Sequence, residues 1–290
     1  VADTGTGIPR ENIDKVIEGV SRIGMRGLMG RRSFDLVSQG HNMLVDSTKK
    51  CLKENERFFN KYRGGVDLVK PCIVVVGMGR CTDELYKKSK AMADKYGTIL
   101  HMHMSNMIEN VQESLSKNGV RPIEHLYNLG ILGKNVVLVH MIHVNQDEIE
   151  MLAETGTNVL HCPSTAMKIS YGLSAFGKFP EMMAQGVNVA IGTDASDCSN
   201  FNDMVRLMYL AATTPKDYRY DPSAGSAEKA IEMATINAAR AMNLEKEIGS
   251  LEAGKKADIA IFDMRRPDWV PLYNELQNLV YSAQGSSCES

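Results

Sequence analysis

The sequence predicts an α/β protein of the (β/α)₈ TIM-barrel type, and three observations carry that expectation. Short apolar runs of strand length alternate with longer amphipathic stretches of helical period along most of the 290 residues. Such alternation is the signature of repeated β-α units around a parallel sheet. Successive apolar runs also end in residues able to do chemistry, His103, His140, His161 and Asp194. Residues so far apart in sequence converge where strand ends face one shared mouth, as at the C-terminal face of a barrel. An open flavodoxin-like sheet would alternate too, but its ligands gather at one switch point and need no polar residue on strand after strand. Lastly, the texture changes after Leu244 to Ile248-Gly-Ser-Leu-Glu-Ala-Gly-Lys-Lys-Ala-Asp-Ile-Ala-Ile-Phe-Asp263, a Gly-punctuated turn feeding an alternating segment that reads as part of a small β domain.

Taken in order, strand ends are expected at residues 1–3, 24–30, 71–77, 98–106, 135–143, 157–163 and 187–194. Between them, helical period is clearest at 83–96, 106–117, 146–155 and 175–185. The first residues already read as a strand end, and the glycines of Thr4-Gly-Thr-Gly-Ile-Pro9 as the loop after it. Two short motifs compete with this reading. Asp3-Thr-Gly-Thr-Gly-Ile8 imitates the adenine-binding box of histidine-kinase ATPase domains, but no Gly-rich lid follows before the barrel pattern begins. Val74-Val-Val-Gly-Met-Gly79 imitates a dinucleotide-binding turn, but Thr82 stands where the third glycine is required.

Composition narrows the partners. Apolar residues at 43%, charged residues at 23% and a formal net charge of -2 offer no basic field for nucleic acid or an acidic membrane surface, so the expected partner is a small molecule. No apolar run approaches the roughly 20 residues that span a bilayer. The six cysteines are scattered without a CxxC pair, which points to neither a disulfide framework nor a zinc ribbon and fits a reducing cytoplasm.

The seven histidines are His41, His101, His103, His125, His140, His143 and His161. A single buried histidine is ordinarily a packed core residue. Several on consecutive strands, followed by Gly192-Thr-Asp194, form instead the imidazole and carboxylate set that binds zinc, iron or manganese. An open position on such a metal would activate water by lowering its pKa to about 7.

The runs Leu100-His-Met-His-Met104, Leu138-Val-His-Met-Ile-His143, Leu160-His-Cys-Pro-Ser164 with Lys168, and Gly186-Val-Asn-Val-Ala-Ile-Gly-Thr-Asp194 resemble the amidohydrolase superfamily, closest to its cytosine-deaminase and triazine-hydrolase-like branch. Arg121-Pro-Ile-Glu-His125, Ala234-Thr-Ile-Asn-Ala-Ala239 and Gly249-Ser-Leu-Glu-Ala-Gly-Lys-Lys-Ala-Asp258 reinforce the likeness. It implies a metal-dependent hydrolase acting on a C–N bond, other than a peptide bond, of a small heterocyclic substrate. It implies one divalent metal, zinc before iron or manganese, with His103 as the strand-five ligand and Asp194 as the strand-eight ligand and base. His140 then corresponds to the strand-six histidine that contacts water or substrate. His161, Asn106, Lys168, Cys198 and Asn200 are the further candidate substrate contacts, and a homodimer is the expected assembly.

The same resemblance implies that the barrel, residues 1–246, comprises strands two to eight and lacks its first strand, which would carry a metal-binding HxH pair. Residues 247–290 would form the C-terminal segment of a composite β-sandwich. His101-Met-His103 is not that missing pair, since it precedes the strands ending at Leu138-Val-His140 and Gly-Thr-Asp194, and His101 is read as interior packing. An HxH pair roughly one β-α unit before Val1 would favour the enzyme. The alternative is an incomplete or degenerate barrel with a binding or structural role and no catalysis. Two positions depart from the branch: Asn106 stands where its deaminases carry a proton-shuttling Glu, and Val76-Gly-Met-Gly-Arg80 stands where Pro-His-x-Pro is common.

Overall fold

The computed structural model describes residues 2–3, 12–37, 45–66, 68–77 and 79–289, so the expected glycine loop after Asp3 and His41 lie outside it. The chain divides by packing into two compact units, Val1–Asn158 and Val159–Ser290. Parallel strands alternating with helices make both α/β. Among the described residues no helix is long and apolar enough to cross a membrane.

The first unit contains β1 (Ala2–Asp3), α1 (Ile13–Arg22), β2 (Gly27–Met29), β3 (Arg32–Ser33), α2 (Thr48–Tyr62), β4 (Val69–Pro71) and β5 (Ile73–Gly77). It continues through α3 (Asp83–Tyr96), β6 (Leu100–Met104), α4 (Ile108–Asn118), α5 (Pro122–Asn128), β7 (Val136–His140) and α6 (Gln146–Thr155). Strands β1, β2 and β4 form one parallel sheet; β3, β5, β6 and β7 pair in parallel in that order. In β5, β6 and β7 every residue is buried, which is why these strands read as continuous apolar runs rather than alternating ones. Leu85, Ile123, Leu126, Ile149 and Leu152 of the helices are buried as well, all at most 1% exposed.

Local signals set the helix ends. Thr82 caps α3, accepting from Leu85 N at 3.2 Å, and Gly97 closes it in the left-handed conformation that glycine adopts without steric cost. Helix α6 opens on a capping box in which Asn145 Oδ1 accepts from Glu148 N and Glu148 Oε2 accepts from Asn145 N, at 2.9 and 3.0 Å. Glu148, 1% exposed, also accepts from Arg121 Nε at 2.8 Å and from Ile123 N at 3.0 Å. One carboxylate thus ties α5 to α6. Its removal would leave the Nε of a half-buried guanidinium and two backbone donors without their acceptor, so we expect Glu148→Ala to lower the unfolding free energy by about 2 kcal/mol, read from urea unfolding. A loss below 1 kcal/mol would show that the carboxylate does not hold these helices.

The second unit contains β8 (Asn158–His161), α7 (Pro163–Lys168), α8 (Leu173–Phe176), α9 (Phe179–Ala184), β9 (Val189–Ile191), α10 (Ser196–Ser199), α11 (Met204–Arg219), α12 (Ala227–Ala234), α13 (Ile236–Ala241) and α14 (Glu275–Tyr281). Strands β8 and β9 pair in parallel, Val159 opposite Val189 and His161 opposite Ile191. The single helix expected at 175–185 is two, α8 and α9, broken at Gly177 and Lys178. Pro180 has no N–H to bond back to Phe176, and its ring would clash with that carbonyl, so it is accommodated only in the first turn of a new helix. The Arg219 guanidinium braces α9 through Glu181, with Nε and Nη2 donating to its carboxylate at 2.8–2.9 Å.

Residues 251–261 carry no strand, although their sequence alternates. Ile259 and Ile261 are 50% and 55% exposed, and an isolated bridge from Phe262 to Cys288 follows the segment. Alternation specifies a strand only where a neighbour exists to pair with it, and none of the described residues supplies one.

Candidate metal centre

The site begins at the C-terminal end of β5. Gly77 has φ +79°, and a Cβ there would lie 2.1 Å from the carbonyl oxygen of His103. Only glycine lets β6 approach so closely. The register between β5 and β6 shifts at this point, placing Gly77 opposite His103. His103 Nδ1 donates to the Val76 carbonyl at 3.2 Å. A carbonyl only accepts, so this bond places the proton on Nδ1 and leaves the Nε2 lone pair available to a metal, the usual arrangement for a ligating histidine.

His140, the last residue of β7, brings its ring to 5.3 Å from that of His103, nearly parallel at 23°. A ring nitrogen of each lies within 4.8 Å of the other, and the residues are 8% and 3% exposed. The backbone turns sharply around the pair: Ser105, His140 and Met141 have φ of +49°, +78° and +54°. Left-handed backbone at non-glycine residues costs about 1–3 kcal/mol each and gathers at functional sites. Ser105 O accepts from both Ile142 N and His143 N at 3.0 Å, stitching the ends of β6 and β7 together.

His101 shares a strand face with His103, and its ring stands edge-on to it at 6.2 Å. It is 2% exposed, in agreement with its reading as interior packing. Burial, with the His103 ring adding, pushes its pKa down to about 3, so it is neutral. Asn106 lies two residues beyond the end of β6, 5% exposed, with no hydrogen bond to Oδ1.

In the second unit, Asp194 follows β9 with φ +60°, and its Oδ1 accepts from Ala195 N at 2.8 Å. That bond fixes the carboxylate at the end of β9. Three other candidates belong to this unit. Lys168, at the end of α7, donates to the Asp197 carbonyl at 3.1 Å; Cys198 lies in α10, and Asn200 caps it at φ +62°. Burial first, then Asp194 and Asp197, pushes the Cys198 thiol up to about 11, so it is not a thiolate nucleophile.

His161 lies at a strand end, where its apolar run placed it. It ends β8, its ring stacks on Phe179 at 3.7 Å, and it borders a small cavity walled by Leu173, Ala211, Ala212 and Met233 from the helices. Burial pushes its pKa from 6.5 down to about 3. Between those values the unfolded chain binds a proton that the folded unit does not, so the contribution is complete above pH 6.5 and is lost as pH falls toward 3. At one pKa unit per 1.36 kcal/mol this amounts to roughly 5 kcal/mol at most. We expect His161→Leu to flatten the acid limb of a plot of urea-unfolding free energy against pH; an unchanged slope between pH 6.5 and 4 would remove His161 from that role.

The sequence missed two members of the site, the Val76 carbonyl and Gly77. A backbone carbonyl has no sequence signature, but a glycine closing the run Ile73-Val-Val-Val-Gly77 is a signal of close approach.

Comparison with known proteins adds three findings. Residues 1–286 match the amidohydrolase family. The chain is 34% identical over 94% of its length to a 5'-deoxyadenosine deaminase of Methanopyrus kandleri, and 35% identical over 96% to a 5-methylthioadenosine/S-adenosylhomocysteine deaminase of Moorella thermoacetica. It spans 61% and 63% of those relatives' lengths. Among solved structures, a zinc-bound adenosine deaminase of Xanthomonas campestris superposes with a TM-score of 0.86 at 26% identity, covering 95% of this chain and 61% of that one. A zinc-complexed atrazine chlorohydrolase of Arthrobacter aurescens shares the fold, with a TM-score of 0.88 at 22% identity over 95% of this chain and 62% of that one.

Proposed function

The chain belongs to the amidohydrolase family, and from that premise we propose that it forms most of the active site of a metal-dependent deaminase or related hydrolase acting on an aminopurine nucleoside. His103 and Asp194 hold one divalent metal, zinc in the first instance, and His140 contacts the attacking water or the substrate. An imidazole and a carboxylate are donors that suit zinc. The observation that carries the reading is the His103–His140 pair: two buried rings at adjacent strand ends, one with its Nδ1 proton committed to Val76 O, the tautomer a ligating Nε2 requires.

When bound, the metal supplies Lewis acidity that lowers the pKa of water to about 7. The protein's own groups do the rest. Asp194 accepts a proton from water through the oxygen not engaged by Ala195 N, and His140 orients the group under attack. Lys168, Cys198 and Asn200 line the approach to Asp194. On this reading the barrel comprises residues 1–246 and the unpaired alternating segment within 247–290 belongs to a small β-sandwich. The partner is a small molecule, and the assembly a homodimer in the cytoplasm.

The test uses the full-length protein. Metal analysis should find close to one equivalent of zinc, iron or manganese, falling at least tenfold in His103→Ala at equal free metal. 5'-Deoxyadenosine, methylthioadenosine, adenosine and aminotriazines are the first substrates to screen. Turnover in metal-stripped protein would overturn the proposal. Asn106, in place of a carboxylate able to move a proton, favours one second reading, a barrel that binds its ligand without turnover; tight binding with no product would select it.

A further inference from the structure

We propose that the cleft between α3, α4 and α5 binds a small arylalkylammonium ion, at a site separate from the metal centre. The cleft lies wholly within the first unit, opens to solvent and encloses about 420 Å³. Sites for small organic molecules typically span about 300–1,000 Å³, apolar within and carrying a few placed polar groups. This one has that character. Its inner wall is Cys81, Tyr86, Met104 and Leu126, none more than 6% exposed. The thioether of Met104 and the ring of Tyr86 offer soft, polarizable surface to a flat ring. Met104 directly follows His103 in β6, and neighbouring strand residues point to opposite faces. The cleft therefore lies behind the strand, on the side its helices cover, and His103 faces the other way.

The rim selects the charge. Asp83 and Glu84 come from the first turn of α3 and Glu113 from α4, with Lys117 and His125 beside them. Both basic groups are already engaged: Lys117 Nζ donates to Glu113 Oε1 at 2.5 Å, and His125 Nε2 donates to Asp83 Oδ1 at 2.8 Å. Glu84 pairs with Lys88, which is not part of the cleft, so Asp83 and Glu113 are the anchors. Their second oxygens, Asp83 Oδ2 and Glu113 Oε2, bond to none of the described residues and accept only. A donor-bearing cation answers them, whereas an anion would meet carboxylate on both sides. A metal ion does not fit, because among the described residues no three of these groups lie close enough to share one. Glu113 is also held in place. Gly79 has φ +68°, and a Cβ there would meet both carboxylate oxygens of Glu113 at 2.8 Å, so bare backbone lets the carboxylate settle on the loop after β5. The Lys117 side chain is 60% exposed, and a surface pair of that kind is weak enough for an incoming ammonium to displace it.

The test is calorimetric titration of the full-length protein with tryptamine and with indole-3-propionate, which carries the same ring and the opposite charge. Tryptamine should saturate a single site, and indole-3-propionate should bind on the order of tenfold more weakly or worse. Glu113→Gln keeps the size of the side chain and should weaken tryptamine roughly tenfold, the usual worth of a charged hydrogen bond. Lys117→Met removes the competing ammonium and should tighten it. Melting temperature confirms that each variant is folded, and Asp83→Asn replaces Glu113→Gln if that variant is not. Absence of saturable tryptamine binding, equal binding of the two probes, or unchanged affinity in the folded carboxylate variant overturns the proposal. Binding lost in Asp194→Asn and kept in Glu113→Gln would place the amine at the metal centre and overturn it too, without touching the hydrolase reading.

Discussion

Replacing Asp194 with Asn should lower kcat/KM of the full-length protein by roughly 10²- to 10⁴-fold, the usual contribution of a positioned general base. The substitution keeps the size of the side chain and its bond from Ala195 N, which is 2.8 Å long, so the loop after β9 has no steric reason to move. An amide cannot accept a proton at ordinary pH and is a poor ligand for a divalent ion compared with a carboxylate. Both proposed tasks of Asp194 therefore fail together, and metal content should fall alongside turnover. Turnover within a factor of three of the unaltered protein would show that another group takes the proton. A retained melting temperature separates this loss from misfolding.

Gly77→Ala should have the largest effect on the fold. Its backbone at φ +79° costs an alanine about 1–2 kcal/mol before any contact is considered. The new methyl would then meet the His103 carbonyl oxygen at 2.1 Å, well inside van der Waals contact. Neither partner is a flexible side chain: Gly77 ends β5 and His103 is the fourth residue of β6. The strands must separate, which breaks the Val76 carbonyl contact that sets the His103 tautomer. We expect a loss of about 3 kcal/mol or more of unfolding free energy, together with weakened metal binding in whatever protein folds. Denaturant unfolding and metal analysis report the two effects separately. Unaltered stability would mean that β5 and β6 have slack that the present packing does not show.

Strands and helices were legible because burial on both faces makes their strand code redundant. In β5, β6 and β7, five consecutive buried residues each leave little room for another reading, whereas the short polar strand β3, Arg32–Ser33, lies outside every strand expected from the sequence. Breaks were harder to place. Residues 175–185 have helical period throughout, and only the rigid ring of Pro180, three residues past the break at Gly177, separates α8 from α9. The segment 251–261 failed in the opposite sense: its alternation is a property of the chain, but a strand is a property of two chain segments, and its partner is not among the described residues.

The sequence by itself determined the α/β class, the family and the residue types at the strand ends, because each of these is written in residue identity and spacing. His103, His140 and Asp194 were named from their place after successive apolar runs. What only the tertiary structure decided were relations that spacing does not encode: that Gly77 lets His103 press against β5, and that the Val76 carbonyl frees Nε2. It decided too that the His161 ring packs on Phe179 among helices, and that Asn106 Oδ1 is buried without a hydrogen bond. Each depends on backbone groups or neighbours supplied by other elements, and a hydrogen-bond partner or a packing surface exists only once those elements have come together.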